Sequence, residues 1–212
     1  MRFPLAVMVI YIHYFGTKIS NENELLSSNF NIDELYNIIR VYISYGICQI
    51  AVPTFFLISG FLFYQHLQEW NWNVWKGKIL RRVHTLVIPY LIWNIIRYLF
   101  NIITTGYHVY HHEGFQAVCL WLKENTQPLM FWVMYGPTYP APIHVPFWFI
   151  RDLIVMVVLT PFFYPLIKNK AVRRCLLGLL LVCYLLNLIP PMPGISIESL
   201  LFFNLGGGYI TC

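Results

Sequence analysis

Residues 38–64, 83–103 and 147–167 each form an apolar run of at least the roughly 20 helical residues that cross a bilayer core of about 30 Å. Such runs leave few options. In lipid every backbone N–H and C=O must be satisfied within the protein, so the runs are expected as helices. Shorter apolar runs lie at residues 3–15, 175–189 and 199–210, and the last begins a span and then stops. Residues 115–122 and 129–135 are apolar but broken by charges and by Pro128, which places them at the interface or in a re-entrant position. Composition supports the same class. Of 212 residues, 58% are hydrophobic and 11% charged, with a mean hydropathy of +0.59. Soluble domains carry about 25% charged residues, so this chain has too few to coat a water-facing surface. A disordered chain, a collagen and a coiled coil are excluded on the same figures. The expectation is an all-α polytopic transmembrane helix bundle with five to six spans, and residues 1–212 are read as a single integral-membrane domain.

The net charge of +5 comes from 14 Lys and Arg against 9 Asp and Glu, and its placement matters more than its sum. Residues 16–37 hold Lys18 against Glu22, Glu24, Asp33 and Glu34, whereas residues 65–82 hold Lys76, Lys78, Arg81 and Arg82 against Glu69. Residues 104–146 hold Lys123 against Glu113 and Glu124, and residues 168–174 hold Lys168, Lys170, Arg173 and Arg174 with no acid. The alternation predicts the N-terminus, residues 65–82 and residues 168–174 in the cytoplasm, with the other two loops outside. Membrane lipid is therefore an expected partner and nucleic acid is not. The 5 Cys show no C-x-x-C spacing and read as small apolar filler. The apolar start lacks a small-residue cleavage site, so no signal peptide is expected.

Charges inside a bilayer cost several kcal/mol and mark function by default. Arg2, Arg97, Arg151 and Asp152 stand out, and His13 joins them as a titratable group. Arg2 and His13 are spaced to share one helix face, about 16 Å apart along the axis. The plainer reading is a positive-inside anchor and a core histidine. Lys78, Arg81 and Arg82 gather at a cytoplasmic surface, which suits a phosphate-bearing ligand, anionic lipid or topology alone. By position along their runs, Arg97, Arg151 and His13 are expected at a similar depth in the outer half of the bilayer, as a buried site or a permeation path would need. His108, His111 and His112 fall beside Glu113 in a polar stretch bracketed by Gly106 and Gly114, read as a solvated loop with no metal site.

Together, several segments resemble one family, the membrane-bound acyltransferase family 3, which transfers acyl groups onto surface sugars. The spacing of Arg2 and His13 is similar to its first-helix signature. Residues 52–63 hold an aromatic run ending in Ser59-Gly60 that resembles its second-helix signature. The patch Lys78, Arg81 and Arg82, followed by Pro89, Tyr90 and Trp93, resembles its basic loop leading into the next helix. Residues 144–153, with Trp148, Phe149, Arg151 and Leu153, resemble a further motif. The resemblance covers nearly the whole chain. It departs at the family's Arg-x-x-Arg motif in the second loop, where Lys78-x-x-Arg81 or Arg81-x-x-His84 stands and one of the two arginines is substituted. The family implies about ten spans, so the chain is expected to be truncated at its C-terminus and possibly at its N-terminus.

The resemblance implies an O-acyltransferase that moves acetyl from cytoplasmic acetyl-CoA, a donor substrate rather than a bound cofactor, to a hydroxyl of an extracytoplasmic glycan or lipid-linked sugar. It implies residence in a bacterial inner membrane. Catalysis would rest on His13 as general base and Arg2 as orienting cation, with acyl-CoA held by Lys78, Arg81 and Arg82. Two alternatives stand beside it: a transporter or flippase for a lipid-linked sugar, and an inactive fragment.

Overall fold

A computed structural model describes residues 7–9, 11, 32–65, 71–125, 142–143, 145–190, 192 and 194–208. Helix α1, Ile32–Val41, passes through a wide turn at Tyr42–Ile47 and a tight one at Cys48–Ile50 into α2, Ala51–Tyr64. Helix α3, Trp72–Arg82, runs through Val83–Val87 into α4, Ile88–Glu113, and α5 spans Phe115–Asn125. A short turn at Val145–Phe147 leads into α6, Trp148–Lys168, followed by α7, Lys170–Leu185, and α8, Ile197–Gly208. The architecture is an all-α membrane bundle, and among the described residues three continuous helices are long and apolar enough to span: Ile38–Tyr64, Trp72–Glu113 and Val145–Lys168. Residues 3–15 lie almost wholly outside the described set. The runs at 175–189 and 199–210 become helices of 16 and 12 residues, short of the roughly 20 a span needs.

Two loop expectations are corrected. The basic residues 76–82 are helical and continue without a break into α4, and His108, His111 and His112 stand on the last turns of α4 rather than in a loop. Asn71 caps the first of these helices, its Oδ1 accepting from Asn73 N–H at 2.9 Å. Only Gly114, at φ +83°, ends the second.

The core is built where α2, α6 and α8 meet, around Phe56, Phe63, Tyr64, Leu153, Met156, Val157 and Phe203. Glycine makes this possible. A Cβ at Gly60 would fall on the Phe203 carbonyl, and one at Gly206 on the Leu57 carbonyl, so the two backbones approach as small residues allow in membrane helices. Since Phe203 meets Gly60 and Gly207 meets Tyr64, α8 runs parallel to α2. Large side chains such as Ile92, Ile96, Phe100, Ile103, Phe162 and Leu181 face outward, as a lipid-facing surface requires.

Helix α6 carries Pro161, whose ring nitrogen cannot donate to the Val157 carbonyl four residues back. The Thr160 hydroxyl takes that carbonyl at 2.6 Å and accepts from Trp75 Nε1 at 2.9 Å. One side chain thus repairs the helix and fastens α3 to α6. Asn169 turns the chain into α7, its Oδ1 accepting from Ala171 and Val172 N–H at 3.0 and 3.3 Å. Asn187, at φ 49°, closes α7 as Leu188 N–H reaches the Cys183 carbonyl and Asn187 N–H the Tyr184 carbonyl, at 3.0 and 3.2 Å.

Candidate functional site

The bundle has two polar ends. At the first, α2, α6 and α8 finish and α7 begins. Lys78 and Arg82 of α3 are four residues apart and so share a face. That face meets the C-terminal turns of α2. Lys78 Nζ donates to the Phe63 carbonyl, and Arg82 Nη2 lies 3.5 Å from the Ser59 carbonyl. Both cations sit over the Phe63 ring, at 5.2 and 5.5 Å from its centre. Late carbonyls of a helix and a π-face both favour positive charge, so the sequence of α2 holds two like charges side by side. Arg81 is exposed and points elsewhere on the helix; its carbonyl accepts from the Thr85 hydroxyl at 3.1 Å.

Arg173, from the first turn of α7, is buried at this same end, packed so closely that a Cβ at Gly208 would meet its Cδ at 3.0 Å. Tyr64 lies against Gly207, and its hydroxyl is buried without a hydrogen-bond partner among the described residues. Sequence reasoning saw Arg173 only as a loop charge and did not single out Tyr64. The signal for the first was its place at the start of a run, and for the second its place directly after the aromatic stretch around Ser59-Gly60.

The second end lies roughly 12–18 Å away, at 1.5 Å per residue from Arg82 and Lys78 to Tyr90 along the continuous helical run of α3 and α4. Here α6 and α8 begin and α7 ends. Arg151 and Asp152 are both buried and form an ion pair, Nη2 and Nε donating to Asp152 Oδ1 at 3.1 and 3.2 Å. Tyr90 of α4 is buried beside them, and Asn94, one turn on, donates to the Tyr90 carbonyl at 2.8 Å. Glu198, from the first turn of α8, stands close enough to Asp152 to repel it. Ser196 and Ser199 close that turn reciprocally, each backbone N–H donating to the other's hydroxyl at 3.2 Å. Glu198 was also missed by sequence reasoning; an acid opening an apolar run was the available sign.

Arg97 does not join this group, contrary to the expected common depth. It shares a helix face with Tyr90 but stands two turns further along, roughly 10 Å. It is exposed there, its guanidinium 5.9 Å from the Phe100 ring centre. Arg2 and His13 lie outside the described residues. His108 and His112 stack at 4.3 Å between ring centres, and no group of three or more possible metal ligands gathers among the described residues.

Residues 1–210 match the family described as "Acyltransferase domain". The chain is 26% identical over 171 residues to the succinoglycan biosynthesis protein ExoH of Rhizobium meliloti (strain 1021), a match that covers 80% of this chain and 42% of that protein. The match thus spans less than half the length of that relative. No solved structure matches.

Proposed function

We propose, since the chain belongs to the acyltransferase family it matches over residues 1–210, that it acts as a membrane O-acyltransferase. In this reading it moves an acyl group, acetyl by preference, from cytoplasmic acyl-CoA to a hydroxyl of an extracytoplasmic glycan. The similarity to a protein named for succinoglycan biosynthesis supports a polysaccharide acceptor.

The observation that carries the reading is the cationic end. Lys78, Arg82 and Arg173 are held there, a donor set suited to the phosphates of CoA. The loop charges put this end in the cytoplasm of the inner membrane, together with the N-terminus. Arg2 and His13 enter from the family resemblance. His13 takes the proton from the acceptor hydroxyl, the hydroxyl oxygen bonds to the acyl carbon, the thioester C–S bond breaks, and the same proton passes to the departing sulfur, so that CoA leaves as the thiol and His13 is neutral again. Arg2 orients the donor and steadies charge that develops on the carbonyl oxygen.

The test uses inverted membrane vesicles carrying the full chain, with radiolabelled acetyl-CoA outside and the cell's own glycan within. Label in the glycan is expected. Glycan movement without acetyl-CoA consumption would overturn the reading in favour of transport.

A further inference from the structure

We infer that the cavity at the Arg151–Asp152 end is a binding site for one uncharged sugar ring. The inference deepens the proposed function by naming the acceptor class, and it rests on that reading for the link to transfer. The cavity holds about 380 Å³ between α6, the end of α7 and the start of α8. Ligand pockets run from about 300 to 1,000 Å³, so this one suits a single ring rather than a length of polymer.

Its walls carry the chemistry of a polyhydroxylated ligand. Trp148 and Tyr184 line it and offer apolar ring faces with polar tips, which suit a molecule with C–H faces and a hydroxyl edge. Asp152 lines it while only 1% exposed. Its Oδ1 is occupied by Arg151, whereas its Oδ2 completes no hydrogen bond, although Ser196 lies against the carboxylate. A buried acceptor left unfilled favours a ligand that donates to it, and a sugar hydroxyl is such a donor. Glu198 adds further acceptors, and Asn187 adds a donor and an acceptor at the rim.

Charge selects among sugars. Arg151 is matched by Asp152, so the two cancel and Glu198 leaves the cavity with a net negative charge. A uronate or a phosphorylated sugar would meet that charge in a half-enclosed space where screening is weak. A neutral pyranoside meets only hydrogen-bond partners. The two ends of the bundle therefore divide the substrates, anionic at the Lys78 end and neutral at the Asp152 end.

The test is saturation-transfer NMR on the full chain in phospholipid nanodiscs, because sugar-headed detergents would compete. The probes are the methyl glycosides of glucose, galactose and mannose, with methyl glucuronide as the anionic control and no acyl-CoA present. Transfer to at least one neutral glycoside is expected, with the glucuronide about tenfold weaker. Glu198→Gln and, separately, Tyr184→Phe are expected to reduce the signal while the chain elutes from gel filtration as before. Should Glu198→Gln disturb elution, Tyr184→Phe alone decides. Equal signals from neutral and anionic probes, none from any neutral probe, or signals indifferent to the deciding variant would overturn the site. Sugar binding without acetyl-CoA consumption would sink the proposed function and leave the site standing; consumption without sugar binding would do the reverse.

Discussion

The two polar ends of the bundle handle buried charge in opposite ways. At the Lys78 end the cations lean on backbone carbonyls of α2 and on the Phe63 ring, without a carboxylate in those contacts. At the Asp152 end a cation pairs with its chain neighbour, and the carboxylate oxygen left without a hydrogen bond among the described residues is Asp152 Oδ2. Carbonyls and ring faces attract a cation without neutralising it, so the contacts that Lys78 and Arg82 make with α2 leave their charge in place. The ion pair at the second end cancels itself and leaves acceptors for hydroxyl donors. Opposite ligand preferences thus arise roughly 12–18 Å apart along the continuous run of α3 and α4, a separation suited to a donor and an acceptor that reach a reaction from opposite faces of a membrane.

The largest expected effect concerns the reaction that would use both ends. His13→Ala should lower acyl transfer by roughly 10²–10⁴, about 3–5 kcal/mol at 1.36 kcal/mol per decade, at unchanged protein level in membranes. His13→Gln should fail equally, because an amide accepts no proton near neutral pH. Near-normal transfer by the Gln variant, measured on the vesicles described above, would return His13 to a packing role and leave the two ends without an assigned base.

A smaller effect tests the cationic end alone. Arg82→Ala should raise the acetyl-CoA concentration for half-maximal binding roughly ten- to hundredfold, the loss of one charge-assisted contact worth about 1.5–3 kcal/mol. Arg81→Ala should change it by much less, because Arg81 is exposed on a different face of α3. Equal effects from the two would mean that local charge, and not the geometry against Ser59 and Phe63, sets affinity.

The smallest effect concerns the bond that fastens α3 to α6. Thr160→Val removes the hydroxyl that joins Trp75 to the proline-freed Val157 carbonyl. It should cost about 1 kcal/mol, read as a lower melting temperature in nanodiscs. Acetyl-CoA affinity should weaken only modestly as α3 loosens, while sugar binding at the far end stays unchanged. Loss at both ends would show that they are not independent.

Much of the architecture was readable before any coordinates. Apolar runs of span length predict helices because lipid offers the backbone no other partner, and the three long runs match the three spanning helices. The Arg151–Asp152 pair was also visible, since a charge inside an apolar run is rare enough to notice. What failed was reasoning about depth and facing. Arg97 and Tyr90 lie on one helical face, and periodicity cannot tell them apart. Tyr90 is buried beside α6, while Arg97 lies two turns beyond that contact and stays exposed. The loops assigned to residues 76–82 and 108–113 were misread because polarity was taken for irregularity, whereas Asn71 caps one helix and Gly114 ends the other.

The sequence by itself determined that this chain is a helical membrane protein, which residues carry its rare charges, and, through spacing and motif, its family. Local composition suffices for these, because hydropathy, helix caps and charge placement act along the chain. Only the tertiary structure decided that Glu198 meets Asp152 and that Arg173 joins the end held by Lys78 and Arg82. Both depend on α8 running parallel to α2, and that depends on Gly60 and Gly206 letting two backbones approach where any Cβ would strike a carbonyl. Such an approach has no periodicity of its own to read, since it is a property of two surfaces brought together and of neither segment alone.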